Sequence, residues 1–215
     1  MIPLLHDFTG QRVLVFGGGA VGARKARRFA REAEVVVVSP AFADADFGGA
    51  QRVRARPDPE DVPGWLDRVG PALVVAATDD PSLNGAIERA ARERGTLVNR
   101  TDEHGGREPG SVVVPATVRD DPVVVAVATG GESPALSRYL RESLEEEVAG
   151  AGDLAALTGE LREDLQKRGV PPEERRKAVR AVVRSSDVWK ALDSGARKPR
   201  RVAVDVIEEA TGETV

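Results

Sequence analysis

Three glycines near the N-terminus have the spacing of a phosphate-binding loop. The pattern G-x-G-x-x-G, which follows the apolar residues 13–16, is formed by Gly17, Gly19 and Gly22. In such a loop the first glycine permits a tight turn, the second lets a pyrophosphate approach the backbone, and the third lets a helix pack on the strand. The N–H groups at the helix start, at Ala20 and Val21, would hold the anion. The loop predicts a dinucleotide site where a strand precedes it and a helix follows.

The second apolar run, residues 34–38, ends where such a fold usually places the acid that binds the ribose. Here Ser39 and Pro40 stand in that place, and Ala41 and Phe42 come next. The Ser39 hydroxyl can still bind a ribose hydroxyl, and the residues after it would border the adenine. Because no arginine follows directly to bind a 2′-phosphate, we expect NAD rather than NADP.

The third apolar run, residues 73–77, leads into Thr78, Asp79 and Asp80. Ligands of parallel sheets bind beyond the carboxyl ends of the strands, so we expect Thr78 and Asp79 to line the nicotinamide side of the site. The same residues precede Pro81, where a helix N-cap is expected. The two interpretations are compatible.

These residues are positioned by short apolar runs that alternate with helical patterns. Strands are predicted at residues 12–16, 34–38, 73–77 and 96–99, and helices at 20–32, after 58–61 and at 81–94. The alternation indicates βαβ units and a parallel sheet, and therefore an open doubly wound α/β domain.

The pattern changes near residue 111. Residues 111–115 and 122–128 are predicted to be strands, and the short connection at 119–122 suits an antiparallel pair. Ser133 and Pro134 then have the N-cap and first-turn positions of a helix. This helix carries one apolar stripe, formed by Leu136, Tyr139, Leu140 and Leu144.

The remainder of the chain is predicted to be helical. Leucines 154, 157, 161 and 165 share one helix face, a turn follows at 169–172, a second helix covers 173–184, and one or two short helices come after 186. We therefore expect three sections: a Rossmann-like nucleotide-binding domain at 1–112, a small strand–helix section at 113–149, and an α-helical C-terminal domain at 150–215.

Composition excludes several classes of function. The chain has no cysteine, which removes disulfides, thiolate catalysis and thiolate metal sites. Its net charge of −4 and its 4% aromatic content give no case for nucleic-acid binding. No apolar run approaches the length of a membrane span. We expect a cytoplasmic protein with no nucleic-acid partner, no membrane association and no resident metal.

Four stretches carry a family resemblance. In this order and spacing they resemble the siroheme synthase dehydrogenase family, whose members are precorrin-2 dehydrogenases, some of them also sirohydrochlorin ferrochelatases. The stretches are residues 17–26, 77–80, 98–102 and 128–138, and the similarity runs from about residue 3 to 148. The last stretch is the most diagnostic, because a generic dinucleotide domain has no use for it.

The resemblance implies an activity, a cofactor and an assembly. The activity is the oxidation of precorrin-2 to sirohydrochlorin, with NAD⁺ accepting a hydride. The assembly is a homodimer in which the section at 113–149 forms the dimerisation part. The resemblance also brings a functional role to Asp102, which matches an important Asp of the family. We expect Asp102 to act as a base or as a group that orients the substrate; the alternative is an Asp that caps a loop.

The substrate is a tetrapyrrole with many carboxylates, which cations and helix N-termini can bind. Residues that lie in or beside the motifs and can supply such groups are Arg24, Lys25, Arg100, Arg119, Thr129, Gly130, Gly131, Ser133, Arg138 and Arg141. Thr129 stands where some relatives have Ser. For any single arginine the alternative is a solvated surface charge.

Two further functions stay open at this point. The first is a bifunctional enzyme that also inserts Fe²⁺ into sirohydrochlorin, with His104 as a residue that could help to bind the iron; one His and one Asp are no specific metal signature. The second is a regulatory module that senses NAD without catalysis. Such a module would explain the glycine loop, but neither Asp102 nor residues 129–138.

Overall fold

The structure is a computed structural model that describes residues 2–103, 110–194 and 198–212. The chain forms two compact units. The first comprises Met1–Val114 with Gly130–Glu132, and the second comprises Pro115–Thr129 with Ser133–Val215. Among the described residues, no helix combines the length and the apolar character that a membrane crossing requires.

The first unit is a parallel α/β sheet with helices on both faces. Its elements are β1 (Arg12–Phe16), α1 (Ala20–Phe29), β2 (Glu34–Ser39), β3 (Gln51–Arg54), α2 (Val62–Val69), β4 (Leu73–Ala76), α3 (Pro81–Glu93) and β5 (Leu97–Arg100). The strand order is β3-β2-β1-β4-β5, and all four pairings are parallel. This confirms the predicted fold class, a doubly wound sheet whose order reverses between β1 and β4.

The central strands of the sheet are apolar on both faces, and both faces are covered by helices. Alternate residues of β1 and β4 belong to two separate hydrophobic clusters, so each strand is buried on both faces. Val13 and Val15 pack on the α1 side, whereas Leu14 and Phe16 pack on the α2 and α3 side. Continuous apolar runs of this kind are typical of central parallel strands.

In its described residues, the second unit contains a strand hairpin and five helices. These elements are β6 (Ala116–Asp120), β7 (Val123–Val127), α4 (Pro134–Val148), α5 (Ala151–Lys167), α6 (Pro172–Arg184), α7 (Ser186–Ser194) and α8 (Pro199–Thr211). The α5 leucines predicted to share a face are buried in one cluster with residues of α6, α7 and α8. The helix α4 packs on the hairpin but has no buried residue among those described.

One strand prediction was wrong, and one strand was not predicted. The antiparallel pair is formed by β6 and β7, with Ala116 opposite Val127, and not by residues 111–115. Ser111 instead forms a single parallel bridge to Val98, and the Val112 N–H donates to the Val98 carbonyl oxygen at 2.8 Å. Ser111 and Val112 therefore lie along the outer side of β5. The edge strand β3 was not predicted, because it contains only one apolar residue, Val53.

Candidate active site

Two of the three glycines of the motif are required by the packing of the protein itself. Gly17 has φ +114°, and a Cβ there would overlap the carbonyl oxygen of Ala77 after β4. A Cβ on Gly22 would overlap the carbonyl oxygen of Gly17, so this glycine sets how closely α1 approaches the turn. The loop therefore lies against the end of β4, at the point where the strand order reverses.

Gly19 differs from its neighbours, because nothing in the protein needs a glycine there. Its φ of −74° and ψ of −176° are accessible to any residue, and a Cβ would meet no atom within 4 Å. Gly19 is the N-cap of α1 and provides no capping side chain, and the first turn contains no acidic residue. The first N–H groups of a helix lack intrahelical partners. The loop therefore leaves open space over uncapped N–H groups, as a pyrophosphate requires.

The glycine loop contacts the end of β4 through Gly17 and the end of β2 through Gly18. A Cβ on Gly18 would come within 2.8 Å of the Ser39 Cβ and 2.9 Å of Phe42. Ser39 is buried, whereas Pro40 and Ala41 are exposed. In the sheet register Ser39 pairs with Arg54 of β3. No arginine follows Ser39 directly in the sequence, but the neighbouring strand places Arg54 beside it, which sequence reasoning did not anticipate.

The residues after β4 form a hydrogen-bonded turn centred on a buried amide. Asp80 is the N-cap of α3 and accepts from the N–H groups of Ser82 and Leu83, whereas Asp79 is exposed. The Thr78 hydroxyl donates to Asn84 Oδ1 at 2.7 Å, and Asn84 Nδ2 donates to the Thr78 carbonyl oxygen. The capping role predicted for this stretch belongs to Asp80, and Thr78 is held in place by Asn84.

Asp102 follows β5 and is bound by an arginine two residues before it. Arg100 Nε donates to Asp102 Oδ1 at 3.1 Å, and an Arg100 terminal nitrogen donates to Oδ2 at 2.6 Å. These hydrogen bonds lower the pKa of Asp102 below its ordinary value; partial burial acts in the opposite direction, and a hydrogen bond from Asn84 lowers the pKa further. Asp102 is therefore a fixed, ionised carboxylate at neutral pH.

Arg100 is shared among three carboxylates. Besides Asp102 it contacts Glu88 of α3 at 3.1 Å and Glu103 at 2.7 Å, and its side chain is only 13% exposed. Its hydrogen bonds to Asp102 raise its pKa. Arg100 was expected to bind substrate carboxylates, but here it binds carboxylates of the protein. Its role in substrate binding stays a prediction.

Four of the predicted substrate residues immediately precede α4, namely Thr129, Gly130, Gly131 and Ser133. The Ser133 hydroxyl caps the helix by accepting from the Leu136 N–H, as expected. The Thr129 hydroxyl lies 2.9 Å from the Ser137 hydroxyl and donates to the Ser133 carbonyl oxygen. Both Gly130 and Gly131 have positive φ. These contacts define a tight turn before α4.

The remaining predicted cations differ in what they contact. Arg24 is exposed on α1, and Lys25 beside it is half-buried and has interactions of its own. Arg138 is 78% exposed and pairs with Glu142, whereas Arg119 lies 3.8 Å from Asp121. Arg141 bridges Glu142 and Glu145. Within the described residues no group of three His, Asp or Glu could hold a metal, and His104 lies outside those residues.

Sequence reasoning missed two buried polar residues of α3. Asn84 and Glu88 are 1% and 9% exposed, and both contact groups at the carboxyl edge of the sheet. The available signal was their spacing of four residues, which places both on one face of the helix. That face adjoins the apolar one of Leu83, Ile87 and Ala91, so these polar side chains could have been expected to be buried.

Comparisons with known proteins agree on the class of the chain. A family model described as "Putative NAD(P)-binding" matches residues 4–116. The chain is 32% identical to a precorrin-2 dehydrogenase of Methanosarcina barkeri (strain Fusaro / DSM 804), over 96% of this chain and 93% of that protein. It is 37% identical to a siroheme synthase of Azotobacter vinelandii (strain DJ / ATCC BAA-1303) over 90% of this chain. The chain spans 41% of the length of that synthase.

A solved structure shows the same fold. The structure of "SirC, precorrin-2 dehydrogenase" superimposes with a TM-score of 0.71 and covers 97% of this chain and 100% of its own. The sequence identity in this superposition is 21%, so the likeness establishes the fold. The fold similarity thus extends over both units.

Proposed function

This chain belongs to the family of precorrin-2 dehydrogenases, and on that premise we propose that it catalyses the NAD-dependent oxidation of precorrin-2 to sirohydrochlorin in siroheme synthesis. One observation carries the proposal. The open Gly19 position at the start of α1 and the fixed Asp102 carboxylate lie at the same carboxyl edge of one sheet. A dinucleotide and an ionised side chain can therefore act on one substrate.

The chemistry is the loss of one hydride and one proton from the macrocycle. When bound, NAD⁺ supplies the hydride acceptor. The residues proposed to hold it are Gly17, Gly19, Ala20, Val21, Gly22, Ser39, Pro40, Ala41, Phe42, Thr78 and Asp79. Their arrangement fits this group: the turn at Gly17 is tight, the N–H groups of α1 are uncapped, and Ser39 and Phe42 border the loop. The proton leaves to a base or to water.

Asp102 is the proposed catalytic residue. Loss of a hydride leaves positive charge on the macrocycle, and an ionised carboxylate stabilises that charge. Because Arg100 lowers the pKa of Asp102, this carboxylate is a weaker base than an ordinary Asp. We therefore favour orientation of a pyrrole N–H and charge stabilisation over complete proton abstraction as its main contribution.

Substrate carboxylates require cations that remain accessible. The proposed partners are Arg24, Lys25, Arg119 and Arg138, together with Thr129, Gly130, Gly131 and Ser133. Arg138 is the most exposed of those with a described ion pair, and that pair with Glu142 is a surface one. Exposed pairs of this kind contribute little energy, so a substrate carboxylate can displace Glu142.

The three-section organisation includes a proposed dimerisation part at 113–149. Its helix α4 exposes 46% of Leu136 and 64% of Tyr139, and only Val118 is buried among the strand residues of β6 and β7. A two-stranded hairpin is marginal by itself in water. A second copy of the chain that covers the apolar stripe of α4 would bury both the helix and the hairpin.

We expect the double variant Leu136→Glu, Tyr139→Glu to be monomeric. Two buried charges without partners would cost far more than the apolar contact contributes. Analytical ultracentrifugation measures the result directly. The matched control is Val183→Glu on α6, which is also an exposed apolar position of the second unit. An unchanged dimer in the double variant, or a monomeric parent protein, would remove the stripe from the interface.

The activity is tested anaerobically with purified protein and precorrin-2. The spectrum of sirohydrochlorin is expected with NAD⁺ and not without nucleotide, and a parallel sample with NADP⁺ measures the selectivity at Ser39 and Arg54. Protein that is folded and binds NAD⁺ yet leaves precorrin-2 unchanged would be a sensor rather than an enzyme. A separate sample with sirohydrochlorin and Fe²⁺, without nucleotide, tests iron insertion.

A further inference from the structure

We propose that Glu88 is a positioning residue for the oxidation reaction. It holds Arg100 so that the guanidinium can bind both oxygens of Asp102. The inference rests on the function proposed for Asp102. It concerns a residue of α3 that lies in none of the motifs discussed above and whose carboxylate has no direct contact with Asp102 among the described atoms.

The contacts place Glu88 on the far side of the guanidinium. Glu88 Oε2 accepts from one terminal nitrogen of Arg100 at 3.1 Å, while Arg100 Nε and its other terminal nitrogen bind Asp102. Glu88 Oε1 is itself held by Arg92 and lies 3.5 Å from the Ser111 hydroxyl. The carboxylate of Glu88 therefore has contacts independent of Arg100, and it can orient the plane of the guanidinium.

Burial indicates that this carboxylate serves more than stability. Glu88 is 9% exposed on a helix whose neighbouring buried positions, such as Ile87 and Ala91, are apolar. A buried ion pair is often no more stabilising than apolar residues of the same volume. What it does provide is a defined geometry, and here that geometry ends at Asp102.

The position of Asp102 explains why such support is needed. Asp102 lies beyond the last residue of the strand and is not held by sheet hydrogen bonds. Its described partners are Arg100 from β5 and Asn84 from α3, and Glu103 competes for the same guanidinium. Without Glu88, Arg100 can turn toward Glu103 and release one oxygen of Asp102.

Two variants of matched size separate positioning from bulk and charge. Glu88→Gln keeps an acceptor oxygen for Arg100, whereas Glu88→Met fills the same space without one. We expect Glu88→Met to lower kcat by roughly 10- to 100-fold with an unchanged Kd for NAD⁺, because small displacements of a reacting group have effects of this size. Glu88→Gln is expected to retain most of the activity. Glu93→Gln, at an exposed position of the same helix, is the control.

A measurement on the protein alone distinguishes this inference from the proposed function. The carboxyl carbon of Asp102 can be titrated by ¹³C NMR and assigned by its absence in Asp102→Asn. The groups that face this site are Arg100, Arg92, Glu88 and Glu103, with the neutral Asn84. In Glu88→Met the pKa of Asp102 is expected to rise toward that of an ordinary Asp, because one of its two hydrogen bonds from Arg100 is lost. In Glu88→Gln it is expected to stay low.

The outcomes lead to separate conclusions. If Glu88→Met leaves both the Asp102 titration and kcat unchanged, or if Glu88→Gln loses as much as Glu88→Met, Glu88 does not position Asp102. If the parent protein does not oxidise precorrin-2 but the titration shifts as expected, the proposed function fails and the positioning stands. Should Glu88→Met not fold, Arg100→Lys tests the same contact, because an ammonium cannot bind Glu88 and both Asp102 oxygens together.

Discussion

Asp102→Asn is expected to lower kcat for precorrin-2 oxidation by about 10²- to 10³-fold, the range that the loss of one group stabilising transition-state charge costs. The Kd for NAD⁺ should stay within about twofold, because Asp102 follows β5 whereas the nucleotide loop follows β1. An amide keeps the shape of the carboxylate but provides neither its charge nor its second acceptor oxygen for Arg100.

The effect is measured by turnover under saturating NAD⁺ and by titration calorimetry with NAD⁺ alone. Asp67→Asn is a matched control: Asp67 also accepts two hydrogen bonds from one arginine, Arg94, which likewise lower its pKa, but it lies on α2. That variant should keep full activity. Equal loss of turnover and of NAD⁺ binding in Asp102→Asn would mean that Asp102 supports the fold or the cofactor pocket instead.

Gly19→Asp is expected to weaken NAD⁺ binding by about 10³-fold. A carboxylate at the N-cap of α1 would accept hydrogen bonds from the N–H groups that are proposed to bind the pyrophosphate. Its negative charge would also repel the pyrophosphate. Two like charges about 4 Å apart at an effective dielectric of about 20 repel by about 4 kcal/mol, which is about three powers of ten in Kd. The fold should persist, since a Cβ at Gly19 meets no atom within 4 Å and Asp is a favourable N-cap.

Calorimetry with NAD⁺ and thermal unfolding together decide this prediction. Gly64→Asp introduces the same side chain at an open position of α2 and should bind NAD⁺ normally. Gly17→Ala should instead lower the melting temperature, because its Cβ would overlap the Ala77 carbonyl oxygen. Normal affinity for NAD⁺ in Gly19→Asp would show that the pyrophosphate is bound elsewhere.

The parallel sheet could be predicted because its central strands depend on local composition. Apolar runs such as residues 13–16 and 73–76 can be stable only where both faces are covered. The edge strand β3 could not be predicted in the same way, since Gln51, Arg52 and Arg54 are exposed and only pairing with β2 makes this segment a strand. Residues 112–114 have strand composition, but Val112 pairs with the backbone of β5 and not with β7.

The site was predictable where one motif contains all its parts. The glycine loop is such a case, because turn, strand and helix are contiguous. The environment of Asp102 was not, since its geometry depends on Glu88 and Asn84, which approach from another element. The sequence alone does not show whether an arginine can bind a ligand. In the structure Arg100 binds the carboxylate of Glu88, which lies twelve residues away in the sequence.

The two borders of the sheet also bear on how the protein behaves at high concentration. An unpaired strand offers backbone groups to any other chain, and this is how intermolecular β-aggregation begins. On one border β3 is four residues long and carries two exposed arginines. The β3 strand of a second copy would therefore find few backbone groups to pair with and would be repelled by these positive charges. On the other border, Ser111 and Val112 of the same chain pair with the outer edge of β5. The chain thus disfavours aggregation by charge repulsion at the β3 edge and by pairing within the chain at the β5 edge.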